Sequence, residues 1–174
     1  DILDLSKIEA GMVELSYTKI ELTLLCQEVV SSYMADTERE VPIVFAGGCD
    51  DCYIISDRSK LVQVLSNLIN NAIKYGAEGK KVLVQVLAKD DIVTVSVTNY
   101  GYVIPAEELP LIFDKFYRVE QSRSTHTGGT GLGLAIVKNI VDMHGGTITV
   151  KSDLNGTVFT VTLQVDFDVD KEHF

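Results

Sequence analysis

The sequence is poor in the features that mark several large classes of protein. No stretch approaches the ~20 consecutive apolar residues that cross a bilayer. The first residues, Asp1-Ile2-Leu3-Asp4, carry neither an initiator methionine nor the basic segment that opens a secretory leader. The chain therefore reads as an excised piece, and a longer parent with membrane segments is compatible with it. Positive charge is short: 15 Lys and Arg against 25 Asp and Glu leave a net charge of −10, the opposite of the basic face that phosphate-backbone binding requires. Nucleic acid is accordingly not an expected partner. Cys26, Cys49 and Cys52 are an odd number in a chain large enough to do without staples, which favours a reducing compartment. Cys49-Asp50-Asp51-Cys52 has no second Cys or His pair at ligand spacing, so a loop with two reduced thiols is favoured over a zinc or redox site. Internal repeats, low-complexity tracts and the Gly-Lys-Ser/Thr of a P-loop are all missing.

What remains is an ordinary globular composition. With 174 residues, 46% hydrophobic and 23% charged, one domain is expected, burying roughly 70% of its unfolded surface. Residues 1–11 read as a helix tail stopped by Gly11, residues 13–20 as a strand, and Glu21 to about Arg39 as a helix. Strands are expected at Val41–Ala46 and Cys52–Ile55. Asp57 then caps a long helix to about Tyr75 with Leu61, Leu65, Leu68 and Ala72 on one face. Val82–Leu87 and Ile92–Thr98 form a hairpin across Lys89-Asp90-Asp91, and Pro105 opens a short helix, Ala106–Phe113. Tyr117–Thr130 is a loop, Gly131–His144 a helix, and Thr147–Lys151 and Thr157–Gln164 the last strands. The acidic tail 166–174 is expected to fray. This order argues for a two-layer α/β sandwich.

Three sets of residues break the pattern. Asn67, Asn71 and Lys74 lie at i, i+4 and i+7 on the long helix, one polar stripe in an apolar segment. Mid-helix Asn needs a reason, because its side chain competes for backbone hydrogen bonds. A solvent-facing strip or a satisfied buried amide is one reading. The other is a metal–phosphate site, since an amide oxygen is a hard neutral ligand suited to Mg²⁺ and Lys74 adds a point charge. Thr127 to Leu134 reads TGGTGLGL, a glycine-rich turn feeding a helix whose first amides favour an anion. Arg118 and Arg123 upstream are natural phosphate partners or exposed solubilising charges. Asn99-Tyr100-Gly101-Tyr102-Val103-Ile104-Pro105, at a strand end, joins a hydrogen-bonding side chain to a glycine and an aliphatic residue able to cover a base.

In this order and spacing these residues resemble the catalytic ATP-binding domain of bacterial sensor histidine kinases, within the wider GHKL family of gyrase, Hsp90 and MutL. Asn67 to Tyr75 (NLINNAIKY) is similar to the N box, Ile112 to Arg118 (IFDKFYR) to the F box, and Gly129 to Val137 (GTGLGLAIV) to the G2 box. The resemblance implies a Bergerat sandwich: a mixed, mostly antiparallel sheet with three main helices, closed over ATP by a lid at about Tyr117–Thr130. Residues 1–12 resemble the end of a dimerisation and phosphoacceptor helix, 13–165 the catalytic domain.

The same resemblance implies site roles. Asn71 is the expected Mg²⁺ ligand with Asn67 beside it; Lys74, Arg118 and Arg123 hold phosphates and serve catalysis. Tyr75 packs near the nucleotide, Asn99, Gly101 and Ile104 meet the base, and Gly129, Thr130, Gly131, Leu132 and Gly133 bring backbone close to it. The family's G1 box usually reads Asp-x-Gly-x-Gly; here Asn99 replaces the acid and Val103 the second glycine, as in a Gram-positive subset. An Asn oxygen still accepts from the adenine amino group, without the charge-assisted component. The implied reaction passes the ATP γ-phosphoryl group to a histidine on a dimerisation domain in cis or trans, leaving ADP, for relay to a response-regulator receiver domain. None of His126, His144 or His173 carries the phosphoacceptor pattern, so the fragment is expected to bind nucleotide without phosphorylating itself. It is expected to be a monomeric, cytoplasmic domain of a homodimeric plasma-membrane parent. A GHKL-type ATPase is disfavoured because such relatives usually carry Glu where Asn67 stands; a nucleotide-binding scaffold with a degenerate G1 box is the other alternative.

Overall fold

Apolar residues recur at every second position through the strand segments, and that alternation sets the architecture. The computed structural model describes residues 2–35, 41–77, 80–119 and 130–165. Its elements are α1 (Ile2–Glu9), β1 (Tyr17–Glu21), α2 (Leu22–Met34), β2 (Ile43–Gly47), β3 (Tyr53–Asp57), α3 (Arg58–Tyr75), β4 (Val82–Lys89), β5 (Ile92–Asn99), a 3₁₀ turn (Leu109–Leu111), α4 (Gly133–Met143), β6 (Thr147–Asp153) and β7 (Gly156–Gln164). The main sheet runs β2-β4-β5-β7-β6, with β2 parallel to β4 and every other pairing antiparallel; β1 and β3 form a separate antiparallel pair. Asp90-Asp91 closes the expected β4–β5 hairpin, Lys89 lying opposite Ile92 and Asp90 at φ 54°.

One sheet face carries Val82, Val84 and Val86, then Val93, Val95 and Val97, then Phe159, Val161 and Leu163, all buried. The alternate positions, such as Thr94, Ser96, Thr160 and Thr162, are only half-buried. Helices α2, α3 and α4 cover the buried face. From α3 come Leu61, Val64, Leu65, Leu68, Ile69 and Ala72, and from α4 Ala135, Ile136, Val137, Ile140 and Val141. Each large aliphatic side chain buried this way contributes about 1.5–3 kcal/mol of transfer free energy. Together they hold the polar stripe of α3 in fixed register with the sheet. The expected two-layer α/β sandwich is therefore observed. Among the described residues no helix is long and apolar enough to cross a membrane.

Two local expectations fail. The helix expected at Ala106–Phe113 is only the turn Leu109–Leu111, set among i→i+3 bonds from Glu108 to Pro105, Leu111 to Glu108 and Asp114 to Leu111. Pro110 is the reason: inside a helix it would lack the amide for an i→i−4 bond, and its ring would clash with the carbonyl at 106. Cys49 and Cys52 are not free thiols but a disulfide, with Cα atoms 5.9 Å apart. Thr23 fixes this loop by donating its hydroxyl to the Cys49 carbonyl at 2.8 Å and accepting from the Cys49 amide at 3.1 Å. Asp51, at φ 55°, turns the chain back and brings the two cysteines within bridging range. Cys26 is free and buried; burial first, and then Glu21, push its thiol up to about 12, so it is inert packing.

Candidate functional site

Helix α3 owes its start to Asp57, whose carboxylate accepts from the Lys60 amide at 3.1 Å, the Ser59 hydroxyl at 2.9 Å and the Ser16 amide at 2.9 Å. Burial opposes the charged form of Asp57, but hydrogen bonds from Ser16, Lys60 and Ser59 outweigh it and lower its pKa. With the start pinned and the apolar face packed, Asn67, Asn70, Asn71 and Lys74 are placed along one wall of a cavity of about 320 Å³. The opposite walls are Ile104, Ile112, Tyr117, Arg118 and Val119, then Thr130, Gly131, Gly133 and Leu134, with Phe159 contributed by β7. The three sequence-distant motifs therefore meet at one place.

The glycine turn meets the other two motifs by contact. Gly131 sits at φ 74°, and a Cβ there would lie 2.8 Å from the Phe116 carbonyl carbon, so only glycine fits. Its carbonyl accepts from the Phe116 amide at 3.0 Å. Asn67 donates its amide to the Gly133 carbonyl at 3.4 Å. Leu132 is fully buried beneath the turn and does not reach the cavity wall. At the start of α4 no side chain caps the first amides, whereas Glu21 caps α2 through the amides of Thr23 and Leu24. Helix amides left open beside a cavity favour an anion there.

The asparagines of α3 divide by partner. Asn67 is tied to the glycine turn and Asn70 accepts from the Tyr33 hydroxyl at 2.9 Å. Asn71 makes no hydrogen bond among the described residues, which leaves its carboxamide oxygen open to a hard cation. Lys74 has no carboxylate partner among them either; its ammonium lies 5.2 Å from the Tyr75 ring centroid. Tyr75 in turn stands 6.2 Å from Tyr102, ring to ring.

The strand-end motif behaves differently. Asn99 does not line the cavity: it is 1% exposed on the helix-covered face of β5, opposite Thr157 and two residues along from Val97, whose own cross-strand partner is Phe159 of the cavity wall. Among the described residues neither its Oδ1 nor its Nδ2 has a hydrogen-bond partner. Leaving a buried polar group unpaired costs about 1–3 kcal/mol, an arrangement that fits a side chain kept for a ligand. Gly101 is not at the cavity wall. A Cβ there would lie 2.4 Å from the Tyr75 carbonyl oxygen, and the residue instead locks the end of β5 against the end of α3 through a bridge to Gly76. Arg123, Gly129 and most of the expected lid lie outside the described residues.

Asn70, Ile112, Tyr117, Val119, Leu134 and Phe159 line the cavity without having been singled out in the sequence. Their side chains read there as ordinary core or helix residues. Four of them lay inside the quoted motifs without a role of their own, Asn70 in the N box, Ile112 and Tyr117 in the F box and Leu134 in the G2 box; Val119 and Phe159 carried no signal.

The family model described as histidine kinase-, DNA gyrase B- and HSP90-like ATPase matches residues 56–166. The chain belongs to that family. Within it, the sensor histidine kinase CusS of Escherichia coli (strain K12) is 44% identical over 126 residues, 72% of this chain and 26% of that protein. The solved structure of full-length ShkA in complex with AMPPNP superposes with a TM-score of 0.81 at 28% identity, covering 93% of this chain and 34% of that one. The histidine kinase ThkA in complex with the response regulator TrrA gives a TM-score of 0.78 at 28% identity, over 97% of this chain and 48% of that one. This ATPase-family chain spans about a quarter of the length of the curated relatives it matches. The part it shares with them is the ATP-binding catalytic domain of a sensor histidine kinase.

Proposed function

We propose that the cavity holds Mg-ATP and that the domain donates the γ-phosphoryl group to a histidine on a separate dimerisation domain. In that transfer the bond from phosphorus to the β,γ-bridging oxygen breaks, a phosphorus–nitrogen bond to the imidazole forms, and ADP leaves. The carrying observation is the convergence on one cavity of an Asn71 carboxamide, a Lys74 ammonium and a start of α4 that have no partner among the described residues. The donor set fits Mg²⁺: a hard neutral oxygen from Asn71 with Asn67 beside it, and a metal of this kind takes its remaining ligands from phosphates and water. The ion would neutralise charge on the β- and γ-phosphates.

Lys74 and Arg118, with Arg123, would bind the phosphates, and Thr130, Gly131 and Gly133 would offer backbone at the α4 end. Tyr75, Ile104 and Phe159 would flank the base, with Asn99 at its edge. Residues 1–12 would be the end of the dimerisation helix. Here α1 packs on α4, and Glu9 pairs with Lys115, within the F box, at 2.8 Å. ThkA's complex with TrrA supports a response regulator as the downstream partner, and membrane attachment of a homodimeric parent belongs to the same proposal.

The test is calorimetry with Mg-ADP on the chain and on Asn71→Ala. Saturable binding that weakens at least a hundredfold in the variant, beyond the 10–100-fold typical of outer-shell partners, with an unchanged melting temperature, is expected. No heat at millimolar nucleotide would defeat the proposal. Labelled ATP supplied with a separately purified His-bearing dimerisation domain should then yield an acid-labile phosphohistidine on that partner. Steady hydrolysis without any partner would favour the ATPase alternative.

A further inference from the structure

We infer that the site accepts guanine as well as adenine nucleotides, with Asn99 as the residue that reads the base without choosing between them. The inference rests on the nucleotide-binding proposal above and concerns only the edge of the base. A carboxylate at this position is acceptor-only, whereas a carboxamide presents a donor and an acceptor side by side in one plane. Adenine offers an amino donor at C6 beside a ring acceptor at N1; guanine offers a carbonyl acceptor at C6 beside an N1–H donor. One amide meets the first pair in one orientation and the second after a 180° flip about its terminal bond.

What decides whether that flip is open is the protein around the amide, and none of the described residues fixes it. Both polar atoms of Asn99 are without a hydrogen-bond partner at 1% exposure. The nearest hydroxyl across the ladder, on Thr157, is already shared with the Ser152 hydroxyl at 2.7 Å and lies 3.5 Å from the Tyr102 carbonyl. Ser152 in turn accepts from the Ile104 amide at 2.8 Å. This relay fills the local hydrogen-bonding capacity without touching the amide. Asn99 lies just behind the base-side wall, two residues along β5 from Val97, the cross-strand partner of Phe159, and that wall, Ile104, Ile112, Val119 and Phe159, is apolar and would cover a purine face without reading its edge. Asn70, which also lines the cavity, is held by Tyr33.

Calorimetry on the 174-residue chain with Mg-ADP, Mg-GDP and Mg-IDP tests this, IDP sharing guanine's six-position and N1–H but lacking its 2-amino group. Wild type should bind GDP and IDP within roughly tenfold of ADP. Asn99→Asp should keep ADP while weakening GDP and IDP by at least a further tenfold, the size of one well-formed bidentate contact, because the carboxylate faces O6 with like charge. Wild type that binds ADP but takes GDP more than a hundredfold more weakly overturns the inference and leaves the nucleotide site standing, even if IDP binds. Absence of ADP binding removes both. Should Asn99→Asp not fold, Asn99→Ala decides: equal losses for ADP and GDP support a shared reader, whereas loss of ADP alone overturns it.

Discussion

Helices α3 and α4 both start at the end of an extended or loop segment, yet their first turns are finished in opposite ways. Asp57 meets the start of α3 with a carboxylate that gathers amides from Ser16 and Lys60 and the Ser59 hydroxyl. The start of α4 has no side-chain cap, and Thr130, Gly131 and Gly133 face a cavity instead. Both ends carry the same partial positive charge. The fold therefore spends a residue on neutralising one end and leaves the other to a ligand. A polar group satisfied internally reports on architecture; one left open beside a cavity reports on binding. The asparagines obey the same division, Asn70 and Asn67 held by protein and Asn71 and Asn99 not.

The comparison breaks if the capped end also governs binding. Asp57→Ala removes an N-cap worth about 0.5–2 kcal/mol and the tie to Ser16, worth about 1 kcal/mol. Urea unfolding at pH 7 should lose about 1.5–3 kcal/mol by these figures, while Mg-ADP affinity changes less than about threefold, well under the tenfold equivalent of 1.4 kcal/mol. The folded pKa of Asp57 lies below the ordinary carboxyl value of 3.8, so its contribution is complete above that value and is lost as pH falls through the depressed folded value. The gap between variant and wild type should therefore close in strong acid. A large affinity loss at neutral pH would show that the two helix ends are not independent.

The uncapped end gives the next effect. Thr130→Asp places a carboxylate where the phosphates are expected and should weaken Mg-ADP about ten- to thirtyfold, or about 1.4–2 kcal/mol. The loss should shrink as salt is raised, since the charge is exposed and screened. Unchanged affinity at low salt would remove the α4 end from the phosphate site. The sensitivity to salt separates repulsion at this end from a general loosening of the turn, which added salt would not restore.

The sequence made α3 legible because three independent signals agreed there: a capping Asp57, an apolar period, and asparagines that interrupt it. The glycine turn was legible for a similar reason, since no packed helix needs Gly129, Gly131 and Gly133 at alternate positions. What escaped depended on residues far along the chain. Phe159 looks like any inward strand residue until α3 and the turn place a cavity over it. Gly101 lies against the backbone of Tyr75 to Ala77, a whole β-hairpin earlier in the chain, and nothing near it in sequence announces that contact. The Cys49–Cys52 bridge depends on Thr23, 26 residues earlier. Pro110 was a local signal outweighed by Pro105, which is a good helix start but cannot rescue a proline five residues on.

The far end of α4 provides the smallest effect and the strictest check on the rule. His144 closes that helix, where a positive charge would ordinarily be welcome. It is nevertheless buried at 5% exposure, with Nδ1 2.7 Å from the Ile140 carbonyl and Nε2 unpartnered. Around it lie Ile54, Ile55, Ser56, Leu163 and Gln164, and the Ser56 hydroxyl is also unpartnered. Burial lowers its pKa, and the Ile140 carbonyl and the Asp57 charge only partly offset that. The neutral imidazole is thus the folded form. A folded pKa below the unfolded value of 6.5 means stability is complete above that pH and falls as pH drops through it. At pH 5.5 the loss has a ceiling near ~1.4 kcal/mol, set by the unfolded side chain alone. Thermal melts between pH 7.5 and 5.5 should show this decline in wild type and lose it in His144→Gln, while Asp57 stays ionised throughout. A flat wild-type profile would mean that the helix end already holds its charge, so that an open polar atom, even nine-tenths buried, does not by itself identify a group the fold has left unpaired.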